Sequence, residues 1–247
     1  MFSFLTVLLS LVMGNFVTDS YKTDSGKSLE IGFIAHGSVA FDFEGTVIYV
    51  DPAEAQAKFA GAPKADFILY THGHGDHFDK KILAEIVKNG TVVICNEEVG
   101  QSLADYGNIS VIVYQNGDSG SFGPENARFG VKAVPSHNQP ANYRFHPPVK
   151  NNGYLFDFDG LKVLVAGDTE DIEELKDLKK EQVDIAFLPV NQPYTMTFEQ
   201  AVNAVSMFEP KILYPYHFGP THTQEGMKEL VKMLSGYKVE VKIRPLE

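Results

Sequence analysis

Tyr70-Thr71-His72-Gly73-His74-Gly75-Asp76-His77-Phe78-Asp79 decides how the rest of this chain is read. Three histidines and one aspartate fall between positions 72 and 77, with glycines among them. The apolar run 67–70 precedes the stretch, is bounded by Pro63-Lys64-Ala65-Asp66, and reads as a buried strand. Behind it Ile82, Leu83, Ile86 and Val87 recur at helical spacing, and Asn89-Gly90 stops that helix. The stretch is therefore a strand-to-helix loop, with Asp79 placed to cap the helix. His72 and His74, two apart in extended backbone, can point at one cation. Asp76 and His77 lie where the chain turns and can aim at a second. Neutral imidazole and carboxylate suit zinc and similar divalent ions. Gly73 and Gly75 let the backbone bend without a Cβ clash. A solvated loop has no reason to pack four ligand-type residues between two apolar elements.

Three more ligand-type residues follow apolar strands directly. His137 comes after 128–135, Asp168 after 161–166, and His217 after the strand that starts at 211. Each alone reads as a satisfied polar residue at a strand end. All three, in that order behind the histidine loop, are hard to assign to coincidence, because ligands at strand ends converge on one edge of a sheet.

The pattern His-x-His-x-Asp-His after a buried strand resembles the metallo-β-lactamase fold superfamily, over nearly all of the chain beyond the first thirty or so residues. Within it, the chain looks most like the branch of L-ascorbate-6-phosphate lactonase-like enzymes. The resemblance implies an α/β fold, a four-layer αββα sandwich. It implies two divalent metal ions, zinc first, with Mn2+ or Fe2+ as alternatives. His72, His74 and His137 would hold one ion, Asp76, His77 and His217 the other, and Asp168 would bridge them. The implied chemistry is hydrolysis by a metal-bridging hydroxide, with Asp76 and Asp168 as the catalytic carboxylates and Asp76 orienting the hydroxide. Asp51 reads as an orienter of the histidine loop. A bridging aspartate departs from the true β-lactamases. The expected substrate is a small ester, lactone or phosphoester. The alternatives are a phosphodiesterase of the same fold or a non-catalytic metal-binding domain.

Substrate contacts are expected from His36, in a turn near the mouth, and from the Pro/Asn-rich loop 139–152, with Arg144 for an anionic group and His146, Tyr143 and Lys150 beside it. The stretch 191–197 reads as a further lining loop, and His222 as part of the cap of the last helix. The formal net charge of −11 argues against nucleic acid and leaves a small molecule as the expected partner. The single Cys95, inside an apolar strand, reads as a buried thiol and excludes both a disulfide framework and a cysteine-rich metal site.

Strands are expected at 29–35, 39–43, 46–50, 91–95, 110–114, 128–135, 153–158, 161–166, 184–188, 211–214 and 239–243. Tight turns fall at Glu44-Gly45 and Asp159-Gly160. Thr197 with Gln200 forms a capping box before a helix over 198–208. Residues 1–20 read as an apolar leader, 21–28 as a linker and 29–247 as one hydrolase domain. The leader lacks a basic start and is short for a membrane span, so an exported, periplasmic or envelope-associated protein is expected. A docked N-terminal helix, and with it a cytoplasmic protein, is the other reading.

Overall fold

Period-two alternation sorts the strands of the first half onto two faces. In this computed structural model, which describes residues 13, 14, 16–218 and 226–246, seven strands lie side by side in chain order. They are β1 (Val17–Lys22), β2 (Ser28–Ala35), β3 (Ser38–Phe43), β4 (Thr46–Val50), β5 (Phe67–Tyr70), β6 (Thr91–Cys95) and β7 (Ile109–Val113). The first four are antiparallel. From β4 onward they run parallel.

The second half repeats this plan with β8 (Ser119–Phe122), β9 (Phe129–Ser136), β10 (Asn151–Phe158), β11 (Leu161–Val165), β12 (Ile185–Pro189), β13 (Ile212–Tyr216) and β14 (Glu240–Val241). Again the pairing is antiparallel to β11 and parallel beyond it.

Val39, Phe41 and Phe43 turn inward to meet the other sheet, where Phe41 lies 5.2 Å from Phe156 and Phe43 5.3 Å from Phe158, ring centre to ring centre. Val47, Tyr49, Ile68, Tyr70 and Val93 face outward and pack under α1 (Gln56–Phe59), α2 (Lys80–Ile86) and α3 (Glu97–Ser102). On the second sheet, α4 (Phe198–Phe208) and α5 (Met227–Met233) contribute Ala201, Ala204, Val205, Phe208, Met227 and Leu230 to the main core. The αββα layering follows because each sheet has two apolar faces to cover. Asp79 caps α2 by accepting from the Lys81 amide at 2.7 Å. Both halves of the Thr197/Gln200 capping box form at the start of α4. Cys95 is buried, and burial pushes its thiol up to about 12, so it stays protonated.

Several boundaries differ from the sequence reading. Residues 21–22, expected in a linker, close β1, and β8 has no counterpart among the expected strands. The leader assigned to 1–20 lies largely outside the described residues, but its end does not: Val17–Ser20 pair with β2. Met13 is buried, and Phe16 meets Phe59 at 6.4 Å. His222 also lies outside the described residues. Among the described residues, no helix is long and apolar enough to cross a membrane.

Parallel strands place their carboxyl ends on one edge, where α/β proteins gather their ligands. Asp51 follows β4, Thr71 to His77 follow β5, Asp168 closely follows β11, Asn191 follows β12, and His217 follows β13. Neighbouring strands of the second sheet meet tightly here. A Cβ on Gly153 would lie 2.7 Å from the Ala166 carbonyl oxygen and 3.0 Å from a Val134 methyl. Backbone cannot yield as a side chain can, so Gly153→Ala is expected to destabilise the fold by about 1–3 kcal/mol. Urea denaturation checks this through a lower midpoint at unchanged slope.

Candidate metal centre

A chain of hydrogen bonds fixes which nitrogen of each histidine is free. Asp51 accepts from the Thr71 amide at 2.7 Å and from the Thr71 hydroxyl at 2.6 Å. With its proton committed to Asp51, the Thr71 oxygen must accept from His72 Nδ1, 2.9 Å away. The lone pair of His72 is therefore on Nε2, which is buried and has no hydrogen-bond partner among the described residues. Asp51 also accepts from His77 Nδ1 at 2.8 Å, which turns His77 Nε2 inward. The sequence reading of Asp51 as an orienter agrees with this geometry. His146 is fixed from the other side. Asn138 donates through Nδ2 to the Tyr194 carbonyl at 2.7 Å. Its Oδ1 then accepts from His146 Nδ1 at 3.2 Å, and the Tyr194 carbonyl lies 3.2 Å from the same nitrogen.

The freed nitrogens converge. His72, His74, His146 and Asp168 offer one ligand atom each within 4.8 Å of one another, and so do His77, Asp168 and His217. Asp168 joins the two sets. Its Oδ2 is 3.1 Å from His146 Nε2 and 3.9 Å from His72 Nε2, and its Oδ1 is 3.3 Å from both His77 Nε2 and His217 Nε2. His77 Nε2 faces His217 Nε2 at 2.9 Å, and His146 Nε2 faces His74 Nδ1 at 3.3 Å.

Acceptors crowded against acceptors demand a positive charge between them, and the donor set suits divalent metal ions. Buried Asp168 Oδ1 and His217 Nδ1 also lack a well-formed hydrogen bond among the described residues. Burial pushes the Asp168 carboxyl up, but His217 and His77 outweigh it and hold the carboxyl well below its usual range. Burial works against charge on His77 too, yet Asp168 and Asp51 raise it well above ordinary imidazole. His77 Nε2 thus calls for a proton, or for a metal cation in its place. Burial keeps His72 well below the imidazole range and lowers His217 as well, so both present lone pairs.

Strain gathers here. His36, Asp51 and His217 sit at φ of 43°, 48° and 55°, a region costing non-glycine residues roughly 1–3 kcal/mol each. Gly37 lets the backbone approach, because a Cβ there would stand 3.0 Å from His77 Cε1 and 3.2 Å from His217 Cδ2. Asp51→Asn is expected to lower metal affinity by about 10–100-fold, since an amide has one acceptor oxygen and cannot accept both from the Thr71 amide on one side and from the Thr71 hydroxyl and His77 on the other. Metal titration of the stripped protein checks it.

At the metal centre, two histidines depart from their expected places. His137, expected as a ligand of the first ion, is turned away, with Nδ1 2.8 Å from the Asn138 carbonyl and Nε2 3.3 Å from Glu174. The preceding Ser136 faces the site, where its hydroxyl donates to the Asp168 carbonyl at 3.0 Å, and one step along the chain takes His137 to the other side. His146, expected as a substrate contact, stands with His72 and His74 instead. The loop folds back through the Asn138 amide to the His146 carbonyl at 2.9 Å. Buried Glu170 clamps it, accepting from the Gln139 amide and from Asn142 Nδ2, each at 2.6 Å. The sequence had marked this loop for its length, but no local signal ranked His146 above His137.

A cavity of about 270 Å³ opens over the centre, lined by His74, Asp76, Phe145, His146, Asp168, Asn191, Tyr194 and His217. Asn191 and Tyr194 belong to the stretch expected to line the site. Arg144, expected to bind an anionic group, is exposed and lies over the Phe145 ring at 4.6 Å, outside that lining. Exposed Lys150 and Tyr143 are outside it as well. His36, the remaining expected substrate contact, stands behind Asp76 rather than in the lining, with Nε2 3.5 Å from Asp76 Oδ2.

Fold and centre together define a metal-dependent hydrolase of the metallo-β-lactamase superfamily. The chain belongs to that superfamily: residues 30–217 match the Beta-lactamase superfamily domain. A UPF0173 metal-dependent hydrolase from Staphylococcus saprophyticus is 30% identical over 201 residues, covering 77% of this chain and 86% of that protein. One from Thermococcus onnurineus is 30% identical over 225 residues, covering 86% and 95%. A crystal structure assigned as a metal-dependent hydrolase from Parabacteroides distasonis superposes with a TM-score of 0.83 at 46% identity, covering 94% of this chain and all of that one. Igni18, a metallo hydrolase from Ignicoccus hospitalis, shares the fold at 20% identity, with a TM-score of 0.69 and coverage of 87% and 94%.

Proposed function

We propose that the chain uses two divalent metal ions to hydrolyse a small, uncharged ester or lactone. The observation that carries this reading is the pair of ligand sets sharing Asp168 beneath the cavity. When bound, such ions polarise a carbonyl oxygen and lower the pKa of water towards neutrality. The chain supplies the rest. Asp51, through Thr71 and His77, and Asn138, through His146, fix the tautomers that aim lone pairs inward. Phe145 and Tyr194, edge to face at 5.0 Å, wall the cavity and exclude water from one side of it. Asn191 offers an amide to orient a substrate oxygen.

Size and charge narrow the substrate. The cavity lies near the lower end of ligand pockets, roughly 300–1,000 Å³, which favours a small molecule over a polymer. Among the described residues its lining contains no Lys or Arg to clamp a phosphate, which favours an uncharged acyl compound over a phosphoester. The net charge of −11 favours a small-molecule partner over nucleic acid.

Chelation is expected to abolish hydrolysis across a panel of small esters and lactones, and Zn2+, Mn2+ or Fe2+ to restore it. Turnover of phosphodiesters alone would replace the ester reading with a phosphodiesterase. A metal-loaded protein silent on the whole panel would point to a binding domain.

A further inference from the structure

We propose that His36 is a metal ligand, and that with Asp76 and His217 it forms an outer seat through which a cation passes to the inner seat of His77, Asp168 and His217. This rests on the two-cation reading above and adds a residue and a route to it. The three ligand atoms lie within 4.8 Å of one another. His36 Nε2 and His217 Nε2 each stand 3.5 Å from Asp76 Oδ2. Tetrahedral ligands about 2.1 Å from an ion lie about 3.4 Å apart, so this edge length suits a cation. The inner seat, with edges of 2.9, 3.3 and 3.3 Å, is slightly tighter.

His36 is also built into place. Its amide donates to the Leu246 carbonyl at 2.6 Å, and its carbonyl accepts from the His217 amide at 3.0 Å. These bonds hold it at φ 43°, with its ring centre 3.8 Å from that of His217. A histidine that merely edges a turn needs no such clamp. Nor does it line the substrate cavity.

One lone pair on His217 Nε2 cannot serve two ions, so the seats are alternatives for a single cation. Their exposure sets the order of use. The Asp76 side chain is 36% exposed, whereas those of His77, Asp168 and His217 are 0%, 2% and 1%. An arriving hydrated ion can exchange some of its waters for Asp76 and His36 at the edge. It would shed more of them on moving inward, with His217 as the common ligand, while three protein ligands leave room for the water that hydrolysis uses. Stripping a divalent ion in two stages avoids exposing a bare charge to a buried site.

Zn2+ titration of the stripped full chain tests this by calorimetry and stopped-flow uptake. Wild type is expected to take up two equivalents. His36→Ala should leave the first unchanged, and take up the second at least about ten-fold more slowly with its affinity within a few-fold of wild type, because a ligand met on the way in changes the rate and not the final state. Second-equivalent uptake at the wild-type rate, or equal slowing of both, would overturn the proposal. Nitrogen-15 NMR of wild type needs no variant: exchange through the outer seat must broaden the His36 Nε2 resonance during the second equivalent, and a resonance that stays sharp and still also overturns it. Wild type binding fewer than two equivalents would overturn the two-cation reading itself, and this inference with it.

Discussion

Asp168→Ala is expected to lower hydrolysis by about 10³-fold or more, and to reduce bound metal below one ion per chain. Asp168 is the carboxylate that both ligand sets share, one oxygen turned to each. Its surroundings are arranged for charge. The side chain is 2% exposed, and His77 and His217 overcome burial to keep it ionised. Its backbone is held by the Ser136 hydroxyl, and Gly167 before it takes φ 67°. Removing the carboxylate leaves the imidazoles with no anion between them, so a divalent cation loses its counter-charge as well as a ligand. Asp168→Asn separates these contributions. It keeps shape and packing but loses the charge, so metal content should still fall, while the folded core survives. Metal analysis beside circular dichroism reads both. Asp168→Ala with two tightly bound ions and near wild-type turnover would show that Asp168 is not the bridge.

The parts of this centre fixed by local spacing or by the ends of parallel strands were legible; those brought in by a loop or a distant clamp were not. His72, His74, Asp76 and His77 sit on one loop, where spacing alone brings them together. Asp168 and His217 follow parallel strands, whose carboxyl ends share an edge. His36 was visible but not its role, because its place behind Asp76 depends on the clamp between Leu246 and His217. The same division holds for the fold. Strands buried on both faces, such as β12, announce themselves as apolar runs. Edge strand β1 reads Val-Thr-Asp-Ser-Tyr-Lys, with alternate residues exposed. Its partners are distant: Arg244 holds Asp19 at 2.8 Å, and Tyr214 hydrogen-bonds Asp19 and Tyr21. Polar residues satisfied across the sandwich look like linker in a one-dimensional reading. β8, Ser-Gly-Ser-Phe, is as poorly marked, with Ser119 and Ser121 exposed.

The second large effect separates two histidines nine positions apart. His146→Ala is expected to weaken the first metal ion by more than about 100-fold, because even residues that only orient ligands are worth 10–100-fold. His137→Ala is expected to leave both ions and turnover within a few-fold of wild type. His146 Nε2 lies 3.1 Å from Asp168 and 3.3 Å from His74, with its other nitrogen tied to Asn138 and Tyr194. His137 Nε2 faces Glu174, whose side chain is 47% exposed, and a pair so open to solvent contributes under about 1 kcal/mol. The strand-end rule selects His137, since it stands directly after β9. It fails by a single step of strand alternation, which gives Ser136 the inward position. The loop 138–150 then carries a histidine back over the site, and Glu170 secures it there. Parallel zinc titrations of the two variants, with stripped wild type as reference, decide between the assignments. Loss of the first ion in His137→Ala with retention in His146→Ala would mean that the loop is rearranged in the metal-bound protein and that the strand-end histidine is the ligand after all.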